Sequence, residues 1–274
     1  MNCRIIDIHT HIYPVALARR AMEVTGHEND DFKKLPIREN LLARMREAGV
    51  DLSVNLPVVS KPQNQGEVNR FAKEAARKNI ISFGGLHPDC ENVIEELEKL
   101  KDMEMAGIKF HPPFQKVHLE DPKYEEMWRK INELGFPVLI HMGTARIVRP
   151  YDLYPSGIRK ILKSAPDIPI IMAHMGSFCM MKNPDEDLEN LPENVFIDTA
   201  MSAELEEAGE FEEIIRRFGT NRVLYGSDFP YGSQAAIARI KDSSFTDSEK
   251  EDMLWRNAAK ILKTVGKLPE NIEL

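Results

Sequence analysis

A single α/β domain over residues 1–274, built as a (β/α)8 TIM barrel, is the fold the sequence predicts, and three observations predict it. Short apolar runs begin near residues 4, 51, 80, 107, 137, 169, 195 and 223. After a longer first interval they recur about every 30 residues, the length of one βα unit. The runs are continuous rather than alternating, as in parallel strands covered on both faces, and the segments between them carry apolar residues at helical spacing. An open doubly wound sheet is the competing class. It offers no reason for eight regular units, and the chain has no G-x-G-x-x-G turn.

The first run, RIIDIHTHIYP, places Ile5, Ile6 and Ile8 in a buried strand and carries Asp7, His9 and His11 at alternate positions. A polar stretch follows, and residues 15–36 form the longest connection. Loops of that size in a compact domain are commonly functional, which makes this segment a candidate lid. RENLLARMREAG is helical through Leu41, Leu42 and Met45 and stops at Gly49. VDLSVNLPVV is strand two, and its helix keeps Val68, Phe71, Ala72 and Ala75 on one face. IISFGGLHP, the helix with Val93, Ile94, Leu97 and Leu100, and AGIKFHPPF carry the pattern to strand four. KYEEMWRKINELG ends at Gly135, a left-handed stop. The second half repeats the scheme with FPVLIHMGT, IPIIMAHMGS, NVFIDTAMS and RVLYGSDFPYG. In the closing helix Thr246 and Glu249 stand in capping-box register before DMLWRNAAKIL.

Composition narrows the function classes. The chain has 274 residues, 42% hydrophobic and 29% charged, with a net charge of -8. Its basic residues are scattered among acidic ones, so no nucleic acid is expected as partner, and the acidic excess reads as solvated helix surface. No run of 18 apolar residues exists and no basic segment leads into a long apolar core, so neither a membrane partner nor export is expected. Cys3, Cys90 and Cys179 are odd in number and lack C-x-x-C spacing, which points to reduced thiols and a cytoplasmic location. A small-molecule substrate is expected, and a homo-oligomer is left open.

The strand ends carry the chemistry. They read IDIHTH, NLP, GLHP, IKFHP, LIHMG, MAHMG, IDTA and YGSDFP, so seven of the eight end in His or Asp, whereas only His27 and His118 lie elsewhere. In a barrel these ends form the catalytic mouth. His9 and His11 alternate on one strand and so share a face, where two neutral imidazoles chelate one ion. With His141, His174 and Asp228 they offer the three or four N/O donors that Zn²⁺ and similar ions take. A bound cation lowers the pKa of its water to about 7, and no G-x-S-x-G elbow competes as nucleophile.

DIHTHIYP, GIKFHP with Lys109, IHMG with His141, AHMG with His174 and GSDFP with Asp228 resemble, in order, the amidohydrolase superfamily, within it the group that contains the aminocarboxymuconate semialdehyde decarboxylase type. The resemblance runs from residue 4 to the NAAKIL helix. It implies His9, His11, His141 and Asp228 as metal ligands, with His174 and Asp228 as the catalytic proton-handling groups. It implies a divalent ion, Zn²⁺ foremost, one rather than two; in two-ion members a carboxylated strand-four lysine bridges the ions and His174 becomes a ligand. Lys109, His111 and Arg146 are the expected substrate contacts, Arg149 also lies near the mouth, and His87 is divided between a site role and holding a loop. Phe178, Met180, Met181 and Tyr231 are open to an apolar wall or to plain packing. The first expectation is a metal-dependent hydrolase of an amide, ester or lactone. The alternative is a metal-dependent decarboxylase of a small unsaturated or aromatic carboxylic acid, and the second alternative a non-catalytic ligand-binding barrel.

Overall fold

The computed structural model describes residues 3–26, 35–145, 148–176, 188, 190–202 and 208–272. The apolar runs pair as parallel strands: β1 (Ile6–Thr10), β2 (Leu52–Asn55), β3 (Ile80–Ser82, resumed after Phe83 at Gly84–Gly85), β4 (Ile108–Phe110), β5 (Val138–Ile140), β6 (Ile170–Met172), β7 (Val195–Asp198) and β8 (Val223–Leu224). Each lies beside its successor in sequence, with Asp7 opposite Ser53, Lys109 opposite Leu139 and Asp198 opposite Leu224. Across the break in β3, Phe83 N–H donates to Asn55 O at 3.0 Å and Gly84 N–H to Gly107 O at 2.8 Å. The ring closes between β8 and β1, where Ile8 N–H donates to Tyr225 O at 3.0 Å and Asp228 N–H to His9 O at 2.9 Å. The result is the (β/α)8 barrel.

Alternation along the strands decides which side chains reach the barrel mouth. In β1, Ile6 and Ile8 are fully buried in the same apolar cluster as Ala258 and Ile261 of the closing helix Asn257–Thr264. That anchorage turns Asp7, His9 and His11 to the opposite face, and a one-residue slip would exchange the two sets. In β4, Phe110 faces outward against Trp128, ring centroids 5.4 Å apart, so Lys109 faces the other way.

Gly49 (φ 71°) and Gly135 (φ 70°) end their helices in the left-handed region, and Thr246 and Glu249 complete the capping box. The closing helix is interrupted by a π turn at Asp252–Arg256, where Met253 O accepts the Tyr225 N–H at 2.9 Å and so ties the helix to the end of β8.

Two connections differ from the sequence expectation. The candidate lid contains a helix, Val15–Val24, whose Ala18 and Met22 pack against Leu35 and Ile37; residues 27–34 lie outside the described residues. The segment after β5 forms an antiparallel hairpin of Gly143–Ala145 with Val148–Leu153, held by buried Leu153 opposite Gly143. Among the described residues no helix is long and apolar enough to cross a membrane, and Cys3 and Cys90 are free thiols. Cys179 lies outside the described residues.

Candidate metal centre at the barrel mouth

Eight strands delivering their carboxyl ends to one mouth bring residues up to 219 positions apart into contact: His9 and His11 from β1, Lys109 and His111 from β4, His141 after β5, His174 after β6, Asp198 from β7 and Asp228 after β8. All are buried. His9 Nε2, His11 Nε2 and Asp228 Oδ1 form a triangle with edges of 3.2, 3.2 and 3.4 Å. Bonds of about 2.0–2.1 Å in a tetrahedral site place neighbouring donors about 3.3 Å apart, so these edges are the size of one face of such a site. His174 joins from the side, with donor atoms of His9, His174 and Asp228 all within 4.8 Å of one another.

The tautomers strengthen this reading. His9 Nδ1 stands 2.7 Å from Asp198 Oδ2 and His11 Nδ1 stands 2.7 Å from Leu56 O. Both partners are acceptors, so both Nδ1 atoms donate, and in the neutral rings this leaves both Nε2 atoms as the ones that face the ion site. In those neutral rings two imidazole lone pairs and a carboxylate oxygen converge on one point, a ligand set for a cation. Burial, joined by the charge of Lys109, holds His9 well below the usual imidazole range and therefore neutral, as a ligand must be.

Asp198 was not singled out in the sequence reading, although IDTA ends an otherwise apolar strand on a carboxylate. It orients two histidines: Oδ2 fixes the His9 ring, while Oδ1 accepts the backbone N–H groups of His174 (2.9 Å) and Ala200 (3.0 Å). Asp7 acts similarly one layer deeper, its Oδ1 accepting from His9 N–H at 3.1 Å and Ser227 N–H at 3.0 Å. Burial pushes its carboxyl up to about 7, against those hydrogen bonds. His174 (φ 57°) and Asp228 (φ 58°) hold left-handed backbone, as strained residues at functional sites do. Close approach of strands requires Gly226, since a Cβ there would stand 2.9 Å from His9 Cβ.

The opposite wall is built differently. Lys109 is 1% exposed, with Nζ 3.4 Å from His9 Nε2, and burial lowers its amine to about 8. His111 caps the short helix Pro112–Gln115 by accepting Phe114 N–H at Nδ1, which leaves the proton on Nε2 and makes that nitrogen a donor rather than a ligand. The rings of Phe114, His111 and His141 stack at 4.1 and 4.0 Å. His141 Nδ1 lies 3.0 Å from His174 Nε2, and His141 Nε2 is buried without a hydrogen-bond partner. The structure thus places His174 beside His9 and Asp228, while His141 adjoins the cluster through His174. His87 holds a loop, its N–H donating to Gln65 Oε1 and its Nδ1 accepting from Asp89 N–H. Arg146, Phe178, Met180 and Met181 lie outside the described residues, as does the side chain of Arg149.

The Amidohydrolase family model matches residues 6–264. No curated protein matches the chain significantly. Among solved structures, 2,6-dihydroxybenzoate decarboxylase from Rhizobium superposes with a TM-score of 0.72 at 17% identity, covering 97% of this chain and 100% of the other. A manganese-containing dihydroxybenzoic acid decarboxylase from Polaromonas sp. JS666 gives 0.73 at 16%, covering 96% and 97%. A candidate 2-pyrone-4,6-dicarboxylic acid hydrolase from Pseudomonas putida gives 0.67 at 16%, covering 96% and 98%. At these identities the likeness is one of fold.

Proposed function

We propose that this chain, which belongs to the amidohydrolase family, is a metal-dependent decarboxylase of a small unsaturated or aromatic carboxylic acid. The sequence reading ranked hydrolysis first and decarboxylation second; the decarboxylases among its structural neighbours, one of them holding manganese, support reversing that order. One observation in the chain itself carries the acidic substrate in this proposal. Lys109 is a buried cation with no carboxylate at ion-pair distance among the described residues, set against a cation-binding triangle. An isolated buried charge is costly, and a substrate anion is the partner that relieves it. A substrate carboxylate supplies an anion to the Lys109 ammonium and to the ion together. A neutral amide or ester does not.

The residues divide the work. His9, His11 and Asp228 would hold one divalent ion, with His174 or His141 completing the set. The ion, when bound, supplies the Lewis acidity that draws electron density away from the carbon losing CO2. Lys109 Nζ and the Nε2–H of His111, two residues apart on one face, orient the substrate's anionic oxygens, and the Phe114–His111–His141 stack offers a flat wall to a planar ring. Decarboxylation breaks a C–C bond and leaves a carbanion that takes one proton. With His141 on the ion, His174 in its imidazolium form would be placed to supply it, becoming the neutral ring.

The test is a panel of hydroxybenzoates, unsaturated diacids and pyrone carboxylates offered to the Mn²⁺- and Zn²⁺-loaded protein, with released CO2 and ring absorbance followed together. Metal-dependent CO2 release is expected. Ring opening or ester cleavage without CO2 would return the assignment to a hydrolase acting on an acidic substrate.

A further inference from the structure

Tyr231 stands between the metal-binding triangle and the helix Val15–Val24. The Asp228 turn fixes its backbone, since the N–H groups of Tyr231 (2.7 Å) and Gly232 (3.0 Å) both donate to Asp228 O. Its ring lies 5.9 Å from the His11 ring, centroid to centroid, and packs against the small apolar cluster of Ala18, Met22, Leu35 and Ile37. Its hydroxyl is hydrogen-bonded to those of Tyr13 and Thr25. These two residues flank the helix: Tyr13 precedes Pro14 at its start, and Thr25 is its C-cap, where Oγ1 donates to Ala21 O and Met22 O.

Among the described residues, the rest of the helix has little to hold it. Only Ala18 and Met22 are buried, whereas Val15, Leu17 and Val24 are 67, 52 and 51% exposed. The cluster beneath it is separate from the two large cores. Both ends of the helix are therefore tied through one side chain to the turn that presents Asp228.

We propose that Tyr231 is a positioning residue, a clasp through which occupation of the His9–His11–Asp228 triangle by a divalent ion tightens the helix Val15–Val24 beside the mouth. An ion bonded to all three corners holds His11 and Asp228 at the 3.2 Å separation they show here, whereas without it no single group joins the three. Tyr231 touches the first and is bonded through its backbone to the second, so it moves with both and carries the hydroxyl ladder with it. By linkage, what the ion does to the helix the helix does to the ion's affinity. This rests on the metal reading of the site but not on the choice between decarboxylation and hydrolysis.

Arg19 and Arg20 are exposed on this helix and are trypsin sites that require local opening. Cleavage after them, followed by mass spectrometry on the full chain with and without Mn²⁺, reads the clasp directly, and calorimetry on the same samples reads Mn²⁺ binding. In the unsubstituted protein Mn²⁺ is expected to slow cleavage about five-fold or more, the lower end of ordinary coupling. Tyr231→Phe and Thr25→Val should be cleaved faster without metal and should lose most of the Mn²⁺ protection, while Thr25→Ser, which keeps the hydroxyl, restores it. Tyr231→Phe that binds Mn²⁺ and keeps full protection overturns the clasp. Absence of Mn²⁺ binding in the unsubstituted protein refutes the metal reading, whereas binding without protection overturns only the coupling.

Discussion

Asp198 shows how much a single buried carboxylate does without touching an ion. It fixes the His9 tautomer from one oxygen and the backbone of His174 from the other, so two strands' worth of donors depend on it. Asp198→Asn keeps the volume but weakens the acceptor and can turn an N–H toward His9 Nδ1. Divalent-ion affinity, measured by calorimetry, should fall about 10–100-fold, the usual cost of losing such a partner. Lys109→Met separates the one-ion from the two-ion version of the site. With one ion, metal content stays at one equivalent and KM for the acid substrate rises; a bridging carbamate would instead make the variant lose an ion, which elemental analysis detects. The convergence of the strand-end histidines and of Asp228 was legible because barrel topology sends every strand's carboxyl end to one mouth. The role of Asp198 was not legible, because an Asp ending an apolar strand looks the same whether it binds an ion, caps a turn or orients a neighbour. Nor could spacing alone place His174 nearer than His141 to His9; in the structure His174, with left-handed backbone, brings its ring to 5.3 Å from that of His9.

At the level of elements, the site depends on β1 and β8 approaching more closely than side chains ordinarily allow. Gly226 makes that approach possible, and Gly226→Ala would put a Cβ 2.9 Å from His9 Cβ. The strands must separate or the His9 ring must shift, and either change spoils a triangle whose edges are set to a few tenths of an ångström. Stability should fall by about 1–3 kcal/mol, as for an overpacked core position. Circular dichroism should stay barrel-like while ion affinity drops more than the stability loss explains. The eight strands were readable from their continuous apolar runs. The hairpin Gly143–Leu153 and the helix Val15–Val24 were not: the helix buries only Ala18 and Met22, too few to make a periodic signal, and tertiary contacts with Leu35 and Ile37 in one case and with the helix Pro112–Gln115 in the other complete them.

For the whole molecule, an ion at the site is a source of stability. His9, His11 and Asp228 hold their donor atoms 3.2–3.4 Å apart, with Lys109 buried nearby. The unfolded chain has no such arrangement, so an ion bound here favours the folded state alone. At a free concentration one hundred times Kd it adds about 2.7 kcal/mol. For a chain of this size that corresponds to a rise in Tm of roughly 5–10 °C. Exhaustive chelation should therefore lower Tm by that amount, and returning Mn²⁺ or Zn²⁺ should restore it with a concentration dependence that follows Kd. The control is His11→Ala, which removes one corner of the triangle: its Tm should be nearly indifferent to chelator and should lie close to that of the chelated unsubstituted protein. A chelator-sensitive Tm that persists in His11→Ala would place the stabilising ion somewhere other than this triangle.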